Sequence, residues 1–288
     1  MKPIRKAVLP VAGLGTRVLP AAKTTPKNLL TVFDRPILSY VVAEGRAAGI
    51  EHFIFIVGRG QGAIEDYFDH NVELDANLKA KGKTELLAEM DAELGKPGEM
   101  SFVRQMAPLG LGHAVWCARD LIGDEPFAVM LPDMLMAAAP AALAQVVSAY
   151  EKVGGNIVAV EPAPEGEAHK YGIVALAERD GRLGKMTGMV EKPAPGTEPS
   201  NLSISGRYIL QPEIFESLSA HETGAGGEIQ LTDAMVKLMA SQDFHALEYD
   251  GTTYDCGDKL GLLRANVAYA LARPDLGDAA RKMLKGML

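Results

Sequence analysis

Cysteine is scarce: the 288 residues hold two, Cys117 and Cys256. Two cannot build a disulfide framework, and both suit buried positions in a reducing compartment. No apolar run approaches the roughly 18 residues that span a bilayer. The opening Met1-Lys-Pro-Ile-Arg-Lys lacks the apolar core of a secretory signal. These absences predict a cytoplasmic protein with no membrane partner. Positive charge is in deficit, with 29 Lys and Arg against 37 Asp and Glu and a net charge of −8. General affinity for nucleic acid needs a basic face and is excluded as a role. An anionic substrate would need a local cationic pocket within an acidic surface. Internal repeats and low-complexity tracts are absent. Two familiar phosphate-binding strings are missing as well. No Gly-x4-Gly-Lys-Ser/Thr occurs, and the dinucleotide fingerprint begun by Gly13-Leu-Gly15 fails at Val18, where a third small residue is required.

What is present centres on residues 8–30. The apolar run Ala7 to Leu9 reads as a short buried strand. It breaks into a loop with Gly13, Gly15, Thr16 and Arg17, followed by Lys23 and Lys27. Glycines let the backbone approach a ligand and turn several N–H groups toward one anion. Arg17 and Lys27 add fixed positive charge, so loop and cations together suggest a polyphosphate cradle. An ordinary glycine-containing surface loop is the plain alternative.

Hydrophobic residues make up 48% of the chain, enough for the core of one large or two small domains. Pro36 suits the first position of a helix that carries Ile37, Val41 and Val42 and stops at Gly49. His52 to Val57 does not alternate and reads as a strand buried on both faces. Residues 63–95 look helical, with Leu74, Leu78, Leu86 and Leu87 facing inward. Strand 100–103, helix 112–120, strand 127–131, helix 140–152 and strand 156–160 follow. Alternating strands and helices predict an α/β fold, a mostly parallel, Rossmann-like mixed sheet flanked by helices. Ligands in such sheets bind at the carboxyl ends of strands. That rule brings the 11–27 loop, the 105–112 loop and Asp133 to one edge. Strands 171–178, 185–191 and 203–210 read as an antiparallel or mixed extension. Helices near 212–219, 231–240, 258–272 and 278–286 complete the chain.

Asp133 ends a buried strand, where a carboxylate can hold Mg²⁺, a hard cation that takes oxygen ligands. Capping a turn is the commoner use of such an aspartate. His113 reads as a packing or capping residue at the start of helix 112–120, without a catalytic role. Glu191 and Lys192 are neighbours at a strand end and are expected to point to opposite faces.

Ala12-Gly-Leu-Gly-Thr-Arg17 with Pro26-Lys27 resembles the signature of nucleotide-sugar pyrophosphorylases. The likeness continues in Gly110-Leu-Gly-His-Ala114, Leu131-Pro-Asp133, Val190-Glu-Lys-Pro193, Gly227-Glu-Ile-Gln-Leu-Thr-Asp233 and Asp255-Cys-Gly-Asp-Lys259. It covers about residues 7 to 272 and is strongest to the branch that joins UTP and glucose 1-phosphate. One departure is that Asn28 and Thr31 stand where the family usually has an acidic residue and a proline.

The resemblance implies a nucleotide-diphospho-sugar transferase fold in one nucleotidyltransferase domain, 1–288. Its nucleotide half would take about residues 1–160, its sugar-phosphate half about 161–257, and C-terminal helices about 258–288. The implied chemistry is Mg²⁺-assisted attack of glucose 1-phosphate on the α-phosphorus of UTP. Arg17, Lys27, Asp133 and Lys192 are the catalytic candidates, and Asp133 with Asp255 the metal ligands. Ala12, Gly13, Gly15 and Thr16 would meet the triphosphate, and Gln105 and Gly110 the uracil, whose edge suits a carboxamide that donates and accepts. Gly172, Glu191 and Lys192 would meet the sugar phosphate, and Gly227 to Asp233 would lie near that pocket. A homo-oligomer, dimer or tetramer, is expected, with Met283, Leu284, Met287 and Leu288 either at its interface or on the chain's own core. The same chemistry with dTTP, CTP or another sugar phosphate is one alternative. A non-catalytic nucleotide-sugar sensor is another, although it would be expected to lose charged residues that are all retained here.

Overall fold

Alternation within the strands decides the architecture. In a computed structural model describing residues 1–287, with Leu288 outside the described residues, strand β1 is Lys6–Pro10. Its Ala7 and Leu9 join one apolar cluster while Val8 joins another across the sheet. A strand that is apolar on both faces must be covered on both. The first half of the chain supplies β2 (Thr31–Val32), β3 (Arg35–Pro36), helix α1 (Ile37–Ala47), β4 (His52–Val57), α2 (Gly62–Tyr67), α3 (Val72–Ala80), α4 (Thr84–Glu93), β5 (Met100–Arg104), α5 (Leu111–Trp116), α6 (Arg119–Ile122), β6 (Phe127–Met130), β7 (Met134–Ala137), α7 (Ala142–Val153) and β8 (Asn156–Pro162). The second half supplies β9 (Gly172–Asp180), β10 (Leu183–Glu191), β11 (Leu202–Leu210), α8 (Ile214–Ser219), α9 (Leu231–Leu238), β12 (Phe244–Glu248), β13 (Thr252–Asp255), α10 (Lys259–Ala272) and α11 (Gly277–Lys285).

Nine strands form one sheet in the order β5-β4-β1-β6-β11-β8-β12-β10-β9. Only β11 and β10 run against the rest. The fold is thus mixed α/β with a mostly parallel sheet. Because β1, β5 and β6 run the same way, the loops that leave them emerge on one edge. A two-stranded sheet stands beside it: β13 pairs antiparallel with β7, which sets Asp255 opposite Met134.

Several expectations change. The 63–95 stretch is three short helices, and of the four leucines expected to face inward only Leu78 is buried; Leu74 and Leu86 are exposed and Leu87 is half-buried. The other positions of α3 and α4 are charged or polar residues mixed with a few apolar ones, so neither helix presents a broad apolar face to bury. Pro36 is extended and caps α1 from outside rather than opening it. Helix 112–120 divides into α5 and α6. Strands β2, β3, β7, β12 and β13 are additional. At the C-terminus Met283 and Met287 are exposed and Leu284 is half-buried. Among the described residues no helix is long and apolar enough to cross a membrane.

Candidate active site

The chain leaves β1 at Pro10 and turns back over its end. Gly15 takes a left-handed backbone (φ +65°), and a Cβ there would lie 2.9 Å from the Lys27 Cβ and 3.1 Å from the Ala22 Cβ. Only glycine lets the loop lie this close on the turn that carries Lys27. Asn28 is fully buried and its Nδ2 donates to the Val11 carbonyl at 3.2 Å, which ties that turn to the end of β1. The loop opens on a cavity of about 540 Å³. Ala12, Gly13, Gly15, Thr16, Arg17, Lys27, Gln105, Gly110 and Asp133 all line it, together with Glu228. Nine of the expected residues, from four separate stretches of chain, therefore meet at the carboxyl edge of the sheet.

Charge is concentrated at one end of this cavity. Lys27 Nζ lies 2.5 Å from Asp133 Oδ2, and Arg17 reaches Asp133 at 4.0 Å and Asp255 at 3.5 Å. The 122-residue gap between the aspartates is closed by the β7–β13 pairing, reinforced by Cys256 N–H donating to the Asp133 carbonyl at 2.8 Å. Burial pushes the Asp133 carboxyl up, but Lys27 and then Arg17 outweigh it and hold the group below the usual range. Asp255 is raised, by burial first and by the charge of Asp133 second, although Gly257 N–H donates to its Oδ1 at 2.7 Å. Thus Asp255 forms a turn and faces the second carboxylate as well.

Gly257 marks the space between them. A Cβ there would lie 2.8 Å from Asp255 Oδ1 and 3.0 Å from Asp133 Oδ2, and would also meet the Arg17 guanidinium. Two carboxylates converge on a gap that only a glycine leaves open, one of them destabilised by the other. That donor set fits a hard divalent cation, which takes one or two carboxylates and completes its oxygen shell from phosphate and water. Among the described residues no group of three or more His, Cys, Asp or Glu forms a metal cage.

The Asp133 loop is held from beneath. Arg207 of β11 is wholly buried, and its guanidinium donates to Leu131 O (3.0 Å), Met134 O (2.8 Å) and Gly206 O (3.3 Å). Its remaining donors meet Glu44 of α1 at 3.0 and 2.7 Å. Every face of the fork is used, and two of its bonds flank Asp133. Neither Arg207 nor Glu44 was among the expected site residues. The signal was available: an arginine inside the apolar strand Leu202-Ser-Ile-Ser-Gly-Arg-Tyr-Ile-Leu210 can be buried only if paired.

Beyond β5, Gln105 Nε2 donates to the Gly110 carbonyl at 3.2 Å. Gly110 (φ +104°) and Gly112 pack on residues 228–230, where a Cβ at Gly110 would lie 2.7 Å from the Glu228 Cβ. Ile229 N–H donates to Leu109 O, and Gly112 N–H to Ile229 O, both at 2.8 Å. The Gly227–Asp233 stretch thus braces the 109–112 loop as well as approaching the other pocket. His113 is buried and does not line the cavity.

On the second side, Thr232 Oγ1 donates to Glu191 Oε2 at 2.9 Å instead of capping α9. A Cβ on Gly172 would sit 3.2 Å from Glu191 Oε2, so the β9 backbone lies directly against that carboxylate. Lys192 takes a left-handed backbone (φ +48°), and its Nζ returns to 3.5 Å from Glu191 Oε1. The expected opposition of these neighbours fails because the strand ends at Glu191 and the next residue turns. The two sides adjoin: the buried Tyr208 hydroxyl is raised by burial, then by Glu191 and more weakly by Asp133.

Known proteins of similar sequence and shape bear on this arrangement. A nucleotidyl transferase family profile matches residues 6–271. A UTP–glucose-1-phosphate uridylyltransferase of Bacillus subtilis is 46% identical over 288 residues, 100% of this chain and 98% of the relative. The UTP-bound UGPase of Acinetobacter baumannii superposes with a TM-score of 0.90 at 42% identity, covering 98% of each chain. A UDP-glucose pyrophosphorylase complexed with UDP-glucose superposes at 0.83 with 38% identity, covering 94% of this chain and 100% of the other.

Proposed function

The chain belongs to the nucleotidyl transferase family, and on that premise we propose that it transfers the uridylyl group of UTP to glucose 1-phosphate, forming UDP-glucose and releasing pyrophosphate. One observation carries this reading: a single cavity gathers the glycine loop, Arg17, Lys27 and Asp133, in a chain alike over its whole length to uridylyltransferases.

A phosphate oxygen of glucose 1-phosphate attacks the α-phosphorus. The bond from that phosphorus to the bridging oxygen breaks, and its electron pair leaves with pyrophosphate. The nucleophile is already an anion near neutral pH, because the second pKa of a phosphate monoester is about 6. No general base is needed; the enzyme supplies position and charge. Arg17, Lys27 and the backbone of residues 13–16 hold the triphosphate and take up the charge that grows on the leaving group. Lys192 draws the sugar phosphate in against the repulsion of a second anion. Glu191 accepts hydrogen bonds from sugar hydroxyls, and Gly172 lets the backbone come near the ring. Mg²⁺ held by Asp133 and Asp255 would neutralise charge at the α-phosphate. Arg207 and Glu44 keep the Asp133 loop in register. Exposed Leu260, Leu263 and Met283 on the C-terminal helices, with Met287 just past the last of them, support a homo-oligomer, dimer or tetramer.

The test is pyrophosphate release from UTP, CTP, ATP, GTP and dTTP, each against a panel of sugar 1-phosphates. The expected result is the highest kcat/KM for UTP with glucose 1-phosphate. A higher value for any other pair, or no release at all, overturns the reading.

A further inference from the structure

We infer that His113 is a specificity-determining positioning residue, which fixes the carboxamide of Gln105 so that its oxygen, not its nitrogen, reads the pyrimidine base. The inference deepens the proposed function and rests on it for the identity of the nucleotide.

The orientation of Gln105 follows from its neighbours. Its terminal atom nearest Gly110 lies 3.2 Å from a backbone carbonyl, which can only accept. That atom must be the amide nitrogen. The same nitrogen lies 3.0 Å from His113 Nδ1, so the ring must accept there. His113 is therefore neutral, with its proton on Nε2. Burial, and then the neighbouring His221, hold its basicity below the usual imidazole range, in accord with that form. The ring is fixed in turn: it lies 9% exposed on α5 and stacks on Trp116 with centroids 5.7 Å apart.

With both nitrogen donors engaged, what remains is Oε1. Among the described residues it receives no donor, and it is not sealed from the cavity that Gln105 lines. The Gly110 N–H likewise donates to nothing in the described chain. An acceptor beside a donor matches the N3–H and an adjacent carbonyl of uracil. Cytosine presents an acceptor at N3, which would face the Gln105 oxygen, lone pair to lone pair. If the carboxamide were free to turn, its nitrogen could meet that acceptor instead, and discrimination would fall. In the turned form the amide oxygen would face the Gly110 carbonyl, and would face Nδ1 as a second acceptor unless the His113 ring moved its proton there, so His113 adds to a preference that the carbonyl begins.

Two substitutions separate this role from packing. His113→Phe keeps a ring against Trp116 and removes the acceptor. His113→Asn offers an acceptor oxygen where Nδ1 stands. For His113→Phe the ratio of kcat/KM for UTP over CTP is expected to fall by about tenfold or more, the order set by one misoriented buried polar group. The loss should appear in the KM for UTP, with kcat little changed, and His113→Asn should restore the ratio to within a few-fold of wild type. Calorimetric titration of all three proteins with UTP and with CTP reads the same preference without turnover. It therefore tests the inference even if the sugar acceptor has been misassigned. An unchanged UTP-to-CTP ratio in a folded His113→Phe protein overturns the inference, and so does an asparagine variant as unselective as the phenylalanine one. A wild-type protein that binds CTP as tightly as UTP overturns it too.

Discussion

Replacing Arg207 by methionine removes the buried guanidinium that holds the Asp133 loop from beneath. Arg207 is fully buried and the Glu44 side chain is 8% exposed. Among the described residues, the substitution leaves that carboxylate with a single donor, Leu143 N–H at 3.0 Å. It also leaves the carbonyls of Leu131 and Met134 without their guanidinium partner. Removing one member of a buried ion pair costs about 3–5 kcal/mol, because the other charge is left uncompensated. For a chain of this size that corresponds to a fall in Tm of roughly 5–8 °C. Removing both charges is less costly than removing one, since a well-packed apolar pair often matches a buried salt bridge. The double variant Arg207→Met with Glu44→Leu should therefore recover at least about 2 kcal/mol relative to the sum of the single losses. Its activity should nonetheless stay at least about tenfold down, because small displacements of a positioned group slow the chemistry steeply. Denaturant unfolding of the four proteins, with turnover measured on each, tests both halves. A single-variant loss under about 1 kcal/mol, or strict additivity, would refute the claim that this pair is a buried brace. A stable double variant with wild-type turnover would refute its link to Asp133.

Three further outcomes follow from the site. Arg17→Ala should lower kcat by ~10²–10³, the usual loss for one stabiliser of developing charge; turnover within a few-fold of wild type would make Arg17 a surface residue. Lys192→Ala should raise the KM for glucose 1-phosphate more than that for UTP, and a selective rise for UTP would reverse the assignment. Asp133→Asn and Asp255→Asn should each raise the Mg²⁺ concentration needed for half-maximal activity and weaken Mn²⁺ binding measured by electron spin resonance. The double variant should lose less than the sum, because both act through one ion; additive losses without metal dependence would reduce one aspartate to a structural role.

The parts of this molecule that could be read from its sequence are those where a single pattern decided the matter. Strands β1, β4 and β6 are apolar on both faces and were visible as unbroken runs. The rule that parallel strands deliver their loops to one edge then brought Ala12–Arg17, Gln105 and Asp133 together before any contact was known. Strand β12 escaped because Phe-His-Ala-Leu-Glu mixes polar and apolar positions over only five residues. Its place between β8 and β10 is set by long-range pairing. Strands β7 and β13 are four residues each and exist because they pair with one another, which is also what unites Asp133 with Asp255. Arg207 and Glu44 act through neighbours distant in the chain, so their partners could not be named from spacing. The error at Lys192 was local: strand alternation was carried one residue past the strand's end.

The proposed reaction is a direct, single transfer of the uridylyl group of UTP to the sugar phosphate in this cavity. It can be put to one measurement, the configuration at phosphorus in the product made from glucose 1-phosphate and UTP carrying a sulfur of defined chirality on the α-phosphorus. One in-line displacement with no covalent enzyme intermediate predicts the sulfur-labelled UDP-glucose with configuration inverted. Retention, the mark of two successive displacements, would contradict the account.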